Sequence, residues 1–156
     1  MVRENAARSR TLMNGSFDMN PQPFKSFISR FITERMGETG LTESQVIFLM
    51  ILDGESGVSL KEMTERVGVH KSLTTRAVKH LLGNGFVENI AESGKEHSII
   101  LTEKGTEAKR MAAAAFDELF GLLLDDLTDE EFTVMEQALS KIKHKMEELS
   151  LKEQFP

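Results

Sequence analysis

A mainly α-helical fold carrying one small β-hairpin is predicted by three features of the sequence. Two short amphipathic segments, 59–66 and 71–82, are joined by a turn at Gly68-Val69, and two apolar, β-branched segments, 86–90 and 97–101, follow directly. Long helical stripes flank this centre on both sides. The 156 residues are 40% hydrophobic and 28% charged with three Pro, a composition that suits a packed helical unit needing no disulfide or metal.

Residues 1–23 lack periodicity and end in Pro21-Gln22-Pro23, which predicts an N-terminal extension outside continuous helix. From Phe24 the pattern Phe24, Phe27, Ile28, Phe31, Ile32 predicts a helix within 24–40 whose apolar face is buried, interrupted by Gly37 and Gly40. Three capping pairs mark the next helix starts: Thr42 with Gln45, Ser59 with Glu62, and Thr128 with Glu131. In each, a hydroxyl and a Glu or Gln side chain three residues on can satisfy each other's orphan backbone N–H. They predict helices over 42–52, 59–66 and 129–149.

Gly68-Val69 leads into a helix over 71–82, stopped by Gly83-Asn84-Gly85. The pair is a helix-turn-helix layout, and the hairpin of 86–90 and 97–101 is its wing. A long helix over 102–124 tolerates Gly105 and Gly121. In the last helix Phe132, Met135, Leu139, Ile142, Met146 and Leu149 recur by threes and fours, a stripe that needs a partner helix. Packing within the chain and a subunit interface would both satisfy it. Apolar helices at both ends of the central module favour the interface.

Composition excludes several function classes. The chain has no Cys, so thiol redox sensing, thiolate metal sites and disulfides are ruled out together. Apolar runs such as 46–52 fall far short of the ~20 residues a membrane helix needs, and Arg3, Arg8 and Arg10 have no apolar stretch behind them. No export signal or membrane partner is read, and a cytoplasmic location is expected. His70, His80, His97 and His144 fit no metal-ligand spacing, so no metal or other cofactor is expected. No phosphate-binding Gly loop follows a strand and no Ser–His–acid grouping stands out, so an enzyme is not expected.

The formal charge of −6 argues at first against a nucleic-acid partner. Its distribution reverses that argument. Residues 1–102 hold 12 Lys and Arg against 12 Asp and Glu, whereas residues 103–156 hold 7 against 13. Within 66–80, Arg66, Lys71, Arg76 and Lys79 occur without any acid. On the helix over 71–82, Thr74, Ala77, Val78 and Leu81 share one face by spacing and form the expected buried side. Ser72, Thr75, Arg76 and Lys79 share another, and all four can donate hydrogen bonds to base edges and phosphates in a major groove. An ordinary solvated helix face, with Arg76 paired to an acid of its own chain, is the competing reading.

Leu41-Thr42-x-x-Gln45, Ser59-Leu60-x-Glu62-Met63, Val67-Gly68-Val69-x-Lys71-Ser72, Thr75-Arg76, Leu81, Gly85-Phe86-Val87 and Leu101-Thr102-Glu103-Lys104-Gly105 stand in an order and spacing that resembles the multiple-antibiotic-resistance regulator (MarR) family. The motifs cover residues 41–105. The resemblance implies a winged helix-turn-helix DNA-binding domain over 41–102, flanked by an N-terminal dimerisation helix (24–40) and C-terminal dimerisation helices (103–156). It also implies a homodimer that binds a palindromic operator in double-stranded DNA. Carried over residue by residue, Ser59, Lys71, Ser72, Thr75, Arg76 and Lys79 become the expected DNA contacts, with Lys95 in the wing.

Three positions depart from the family's pattern. The wing has Ser93-Gly94-Lys95 where the family carries Asp-x-Arg, which predicts a less shape-selective wing contact. His70 replaces the more usual Ser and is expected to cap the helix or touch phosphate. Thr74 replaces an aliphatic residue and is expected to bond back to a backbone carbonyl. The resemblance further implies a repressor relieved by a small aromatic effector. Phe27, Phe31, Phe116 and Phe120 would line its pocket, although rings on helical faces serve equally well as core. A winged-helix module that binds another protein and no DNA is the alternative function.

Overall fold

The computed structural model describes residues 21–92 and 97–151. Six α-helices and a two-stranded hairpin occur among them: α1 (Gln22–Arg35), α2 (Glu43–Met50), α3 (Leu60–Val67), α4 (Lys71–Gly83), β1 (Val87–Asn89), β2 (Ile99–Leu101), α5 (Glu103–Leu124) and α6 (Asp129–Leu151). The chain forms two compact units, Met1–Phe116 and Asp117–Pro156. No helix of the described residues is long and apolar enough to cross a membrane.

α1 begins at Gln22, two residues earlier than the apolar pattern suggests. Pro21 is its N-cap and Pro23 lies in the first turn, where a missing N–H breaks no helical bond. Its apolar face is only partly covered. Ile32 is fully buried, but Phe24 is 57% exposed and Phe27 40% exposed, so burial of that whole face is not met within the single chain.

The three capping pairs form to different degrees. At Thr128 both halves are present: Glu131 Oε2 accepts from the Thr128 N–H and Thr128 Oγ1 accepts from the Glu131 N–H. Gln45 Oε1 accepts from the Thr42 N–H at 3.0 Å. At Ser59 the hydroxyl accepts from the Glu62 N–H at 3.2 Å, but the Glu62 carboxylate turns to Arg66 one turn on. An ion pair on the same helix face has there replaced the second half of the box.

Unit one is organised around Phe48, Leu49 and Val46 of α2, Met63 of α3, and Ala77, Val78 and Leu81 of α4, all buried. α2 packs against α1, α3 and α4, and α4 also packs on β1. α4 ends in a two-bond Schellman cap: the Phe86 N–H donates to Leu81 O and the Gly85 N–H to Leu82 O, with Gly85 at φ 74°. Phe86 is consumed in closing that cap, so β1 starts one residue later than its composition suggests. The hairpin pairs Val87 with Leu101, Glu88 with Ile100 and Asn89 with Ile99. An added bridge from Val58 to Ile99 ties the wing to the segment before α3.

A compact joint fixes the wing and α4 to α5. Thr102 Oγ1 donates to Gly85 O at 2.7 Å and accepts from the Gly105 N–H, while the Thr102 N–H donates to Phe86 O. Lys104 Nζ donates to Asn84 O at 2.8 Å and sits 4.3 Å from the centre of the Phe86 ring. Gly105 is required by closeness: a Cβ there would stand 1.8 Å from Phe86 O. Two cations tie the end of α2 to other helices. Lys109 Nζ donates to Leu52 O at 2.7 Å, and Arg66 Nη1 donates to Ile51 O at 3.4 Å. In the loop that follows, the Ser56 and Glu55 N–H groups donate to the Asp53 carboxylate and hold its pKa below the ordinary value.

In unit two the stripe of α6 is largely exposed among the described residues. Leu139, Ile142 and Met146 are each more than half exposed, and Phe132 is 42% exposed. On α5, Leu122 is 65% exposed.

Gly105→Ala tests the joint. The clash is with backbone, so relief means moving α5 away from Phe86, and overpacking of this kind costs about 1–3 kcal/mol. Thermal unfolding should show a lower Tm than the parent chain; an unchanged Tm would show that the joint is not as tight as the geometry makes it.

Candidate nucleic-acid interface

The rotation of α4 about its axis decides which side chains it presents. Thr74, Ala77, Val78 and Leu81 are buried, at 0, 4, 2 and 0% exposure, on the face that spacing assigned to the interior. Lys71, Ser72, Thr75, Arg76 and Lys79 are exposed on the opposite side. Thr74, the one buried polar residue among those described, shares a 2.8 Å hydrogen bond with the Thr64 hydroxyl of α3. It does not bond back to a carbonyl of its own helix as the sequence suggested. The Thr64 hydroxyl also reaches Leu60 O at 2.7 Å, so the polar pair is satisfied where it crosses between the two helices.

The turn preceding α4 is set by Gly68, at φ 73°, whose N–H donates to Thr64 O. His70 is the N-cap residue by backbone position, but its side chain makes no capping bond and is exposed. Capping is therefore not its role here. Thr75 Oγ1 donates to Lys71 O at 2.9 Å. Its proton is thereby used, and it offers outward an acceptor rather than the donor the sequence implied.

The cations divide into two sets. Arg66, Lys104 and Lys109 are engaged with carbonyls, a carboxylate or a ring of the fold, and Arg110 pairs with Glu107. Arg66 therefore leaves the cationic stretch of residues 66–80. Lys71, Arg76 and Lys79 have no ion pair or side-chain hydrogen bond among the described residues. Their charges stand beside the Ser72 and Thr75 hydroxyls on one exposed helix face, an arrangement able to contact phosphates and base edges.

Ser59 is exposed at the start of α3. It lines one cleft with Lys61, Lys71 and His97. Neither Lys61 nor His97 is marked as a contact by sequence alone: Lys61 lies 3.9 Å from Glu65 on α3, and His97 stands two residues before β2. Lys95 lies outside the described residues. Of the four Phe residues, Phe27 and Phe31 meet on α1 with ring centres 6.3 Å apart, and the Arg35 guanidinium lies 4.5 Å above Phe31. Phe116 is partly buried at the end of unit one, and Phe120 is 43% exposed in unit two.

The model of the MarR family matches residues 41–92, from the start of the α2 segment into the wing. Over these residues the chain is similar to the MarR family. A curated relative, the HTH-type transcriptional regulator BilQ of Clostridium symbiosum (strain WAL-14163), is 28% identical over 126 residues, 77% of this chain and 87% of BilQ. Among solved structures, the MarR protein of Peptoclostridium difficile is similar with a TM-score of 0.72 at 23% identity, covering 89% of this chain and 95% of that one. A putative MarR-family regulator from Listeria monocytogenes, solved with a 26mer DNA, gives a TM-score of 0.72 at 19% identity, covering 85% and 91%. At these identities the structural likenesses establish a shared MarR-type fold. They extend across helices that the family model, ending at Glu92, does not reach.

Proposed function

We propose that this protein is a MarR-type DNA-binding transcription regulator that acts as a homodimer on a palindromic operator in double-stranded DNA, in the cytoplasm. The observation that carries this reading is the outer face of α4. Lys71, Ser72, Thr75, Arg76 and Lys79 are all exposed there, and the three cations have no acid partner among the described residues. A chain with six more acids than bases that leaves this helix face cationic is suited to a polyanion. Ser59 and, in the wing, Lys95 are the proposed flanking contacts. The Listeria relative solved with DNA supports the same reading, as does the regulator name of BilQ.

Dimerisation is supported by the apolar surface left over. Burying a Leu, Ile, Met or Phe side chain is worth about 1.5–3 kcal/mol, and Phe132, Leu139, Ile142 and Met146 on α6 and Phe24 and Phe27 on α1 are all at least 40% exposed. A two-fold arrangement pairing these faces would present two copies of α4 to one duplex. The proposed mode of action is repression by occupying the operator. Relief comes through a small aromatic effector, for which Phe27, Phe31 and Phe116 of unit one are the proposed aromatic contacts.

Two substitutions test these parts separately. Arg76→Ala should weaken binding to an operator selected from random duplexes by about 1–3 kcal/mol, the usual worth of a base-edge contact, while the circular dichroism spectrum stays that of the parent; unchanged affinity would reject its role. Leu139→Asp places a charge on the α6 stripe and should shift the protein to monomer in light scattering at micromolar concentration. A full dimer in that experiment would remove α6 from the interface.

A further inference from the structure

A cleft of about 720 Å³ opens between α3, the start of α4 and the foot of the wing, lined by Ser59, Lys61, Thr64, Glu65, Lys71 and His97 with Leu60. We propose that this cleft seats the sugar-phosphate backbone of duplex DNA, and that His97 makes the seating depend on proton uptake. The inference rests on the regulator reading and extends it to a region adjoining the base-reading face, with its own regulation by pH.

The lining explains the choice of occupant. Its described lining sets the Ser59 and Thr64 hydroxyls, the Lys61 and Lys71 ammonium groups, the Glu65 carboxylate and the His97 imidazole along a wall that also includes Leu60, so it offers hydrogen-bond donors and positive charge beside apolar surface, as a sugar-phosphate chain requires. Among the described lining residues, Lys61 and Lys71 face one acid, Glu65. Glu65 lies 3.9 Å from Lys61, and the two side chains are 66% and 86% exposed, a loose pair that contributes little to stability and is readily exchanged for a phosphate. Lys71 is the first residue of α4, so the cleft is continuous with the Ser72–Thr75–Arg76 face. A strand read by α4 passes the cleft mouth as it leaves the groove.

His97 supplies the regulation. It is exposed and has no hydrogen bond or ion pair among the described residues. Imidazole is the side chain whose charge changes between about pH 5 and 8. The charged groups that share the cleft with it are Lys61 and Glu65 from α3 and Lys71 from α4; Glu92 stands on the other limb of the wing. A phosphate entering the cleft favours the protonated imidazole. By linkage the protonated imidazole then favours phosphate to the same degree, so affinity is higher at low pH and is lost as pH rises.

The experiment measures binding of the full chain to a fluorescent mixed-sequence duplex of about 30 base pairs, at about pH 6 and about pH 8 and over a salt series. Four proteins are compared: the parent, His97→Gln, Lys61→Gln, and His144→Gln as an exposed imidazole on α6, outside the cleft and the α4 face. The parent and His144→Gln should bind about three- to tenfold more tightly at the lower pH, and His97→Gln should change less than about twofold. Lys61→Gln should flatten the slope of log affinity against log salt by about one per protomer. A His97→Gln protein that keeps the parent's pH response, or a Lys61→Gln protein that keeps its salt slope, overturns the proposal while leaving the regulator reading standing. A parent chain that binds no duplex at any salt or pH overturns both.

Discussion

The rotation of α4 is the constraint on which the rest depends. Turning that helix by one residue, about 100°, would bring Val78 and Leu81 toward water and press Arg76 or Lys79 against α2 and α3. Exposing each large apolar side chain costs about 1.5–3 kcal/mol, and an unpaired cation in an apolar interior costs more. The Thr64–Thr74 bond adds direction to a contact that apolar packing alone would leave smooth. One rotation satisfies both kinds of force, and it leaves five polar residues facing out together.

Position along the axis is settled at the other end of the same helix. The cap at Gly85 and Phe86, the Thr102 hydroxyl, the Lys104 ammonium and the missing Cβ of Gly105 form one hydrogen-bonded joint. It sets where the wing leaves α4 and where α5 begins. Much of the motif set that resembles the family therefore serves geometry and makes no contact chemistry of its own. The charge economy follows the same division: Arg66, Lys104 and Lys109 hold the fold, whereas Lys71, Arg76 and Lys79 remain outward. Net charge alone could not have revealed this, because cations of the first set look identical in sequence to those of the second.

Local signals were legible and reciprocal ones were not. The helix starts at Thr42, Ser59 and Thr128, the stop at Gly85, and the two faces of α4 follow from spacing and cap chemistry, both of which act over a single turn. Where two partners compete for one group, the sequence does not say which wins. Glu62 could complete a cap or pair with Arg66, and Thr75 could donate outward or to Lys71 O. Contacts between segments far apart in the chain were equally hidden. Thr64 with Thr74, Val58 with Ile99, and the cleft joining Lys61 to His97 each require the fold before they can be seen. The apolar stripe of α6 was legible as a stripe, and its exposure in the single chain is what turns it into an interface argument.

The absence of cysteine in the chain provides a direct test of the outward face. Single cysteines introduced as Ser72→Cys and Thr75→Cys should react freely with a maleimide in the unbound protein. Saturating operator duplex should slow that reaction by tenfold or more, on the order of what occlusion in a major groove imposes. Full-speed alkylation of protein shown to be DNA-bound, or two cysteines that never react even without DNA, would contradict the assignment of α4 as the helix that meets the duplex.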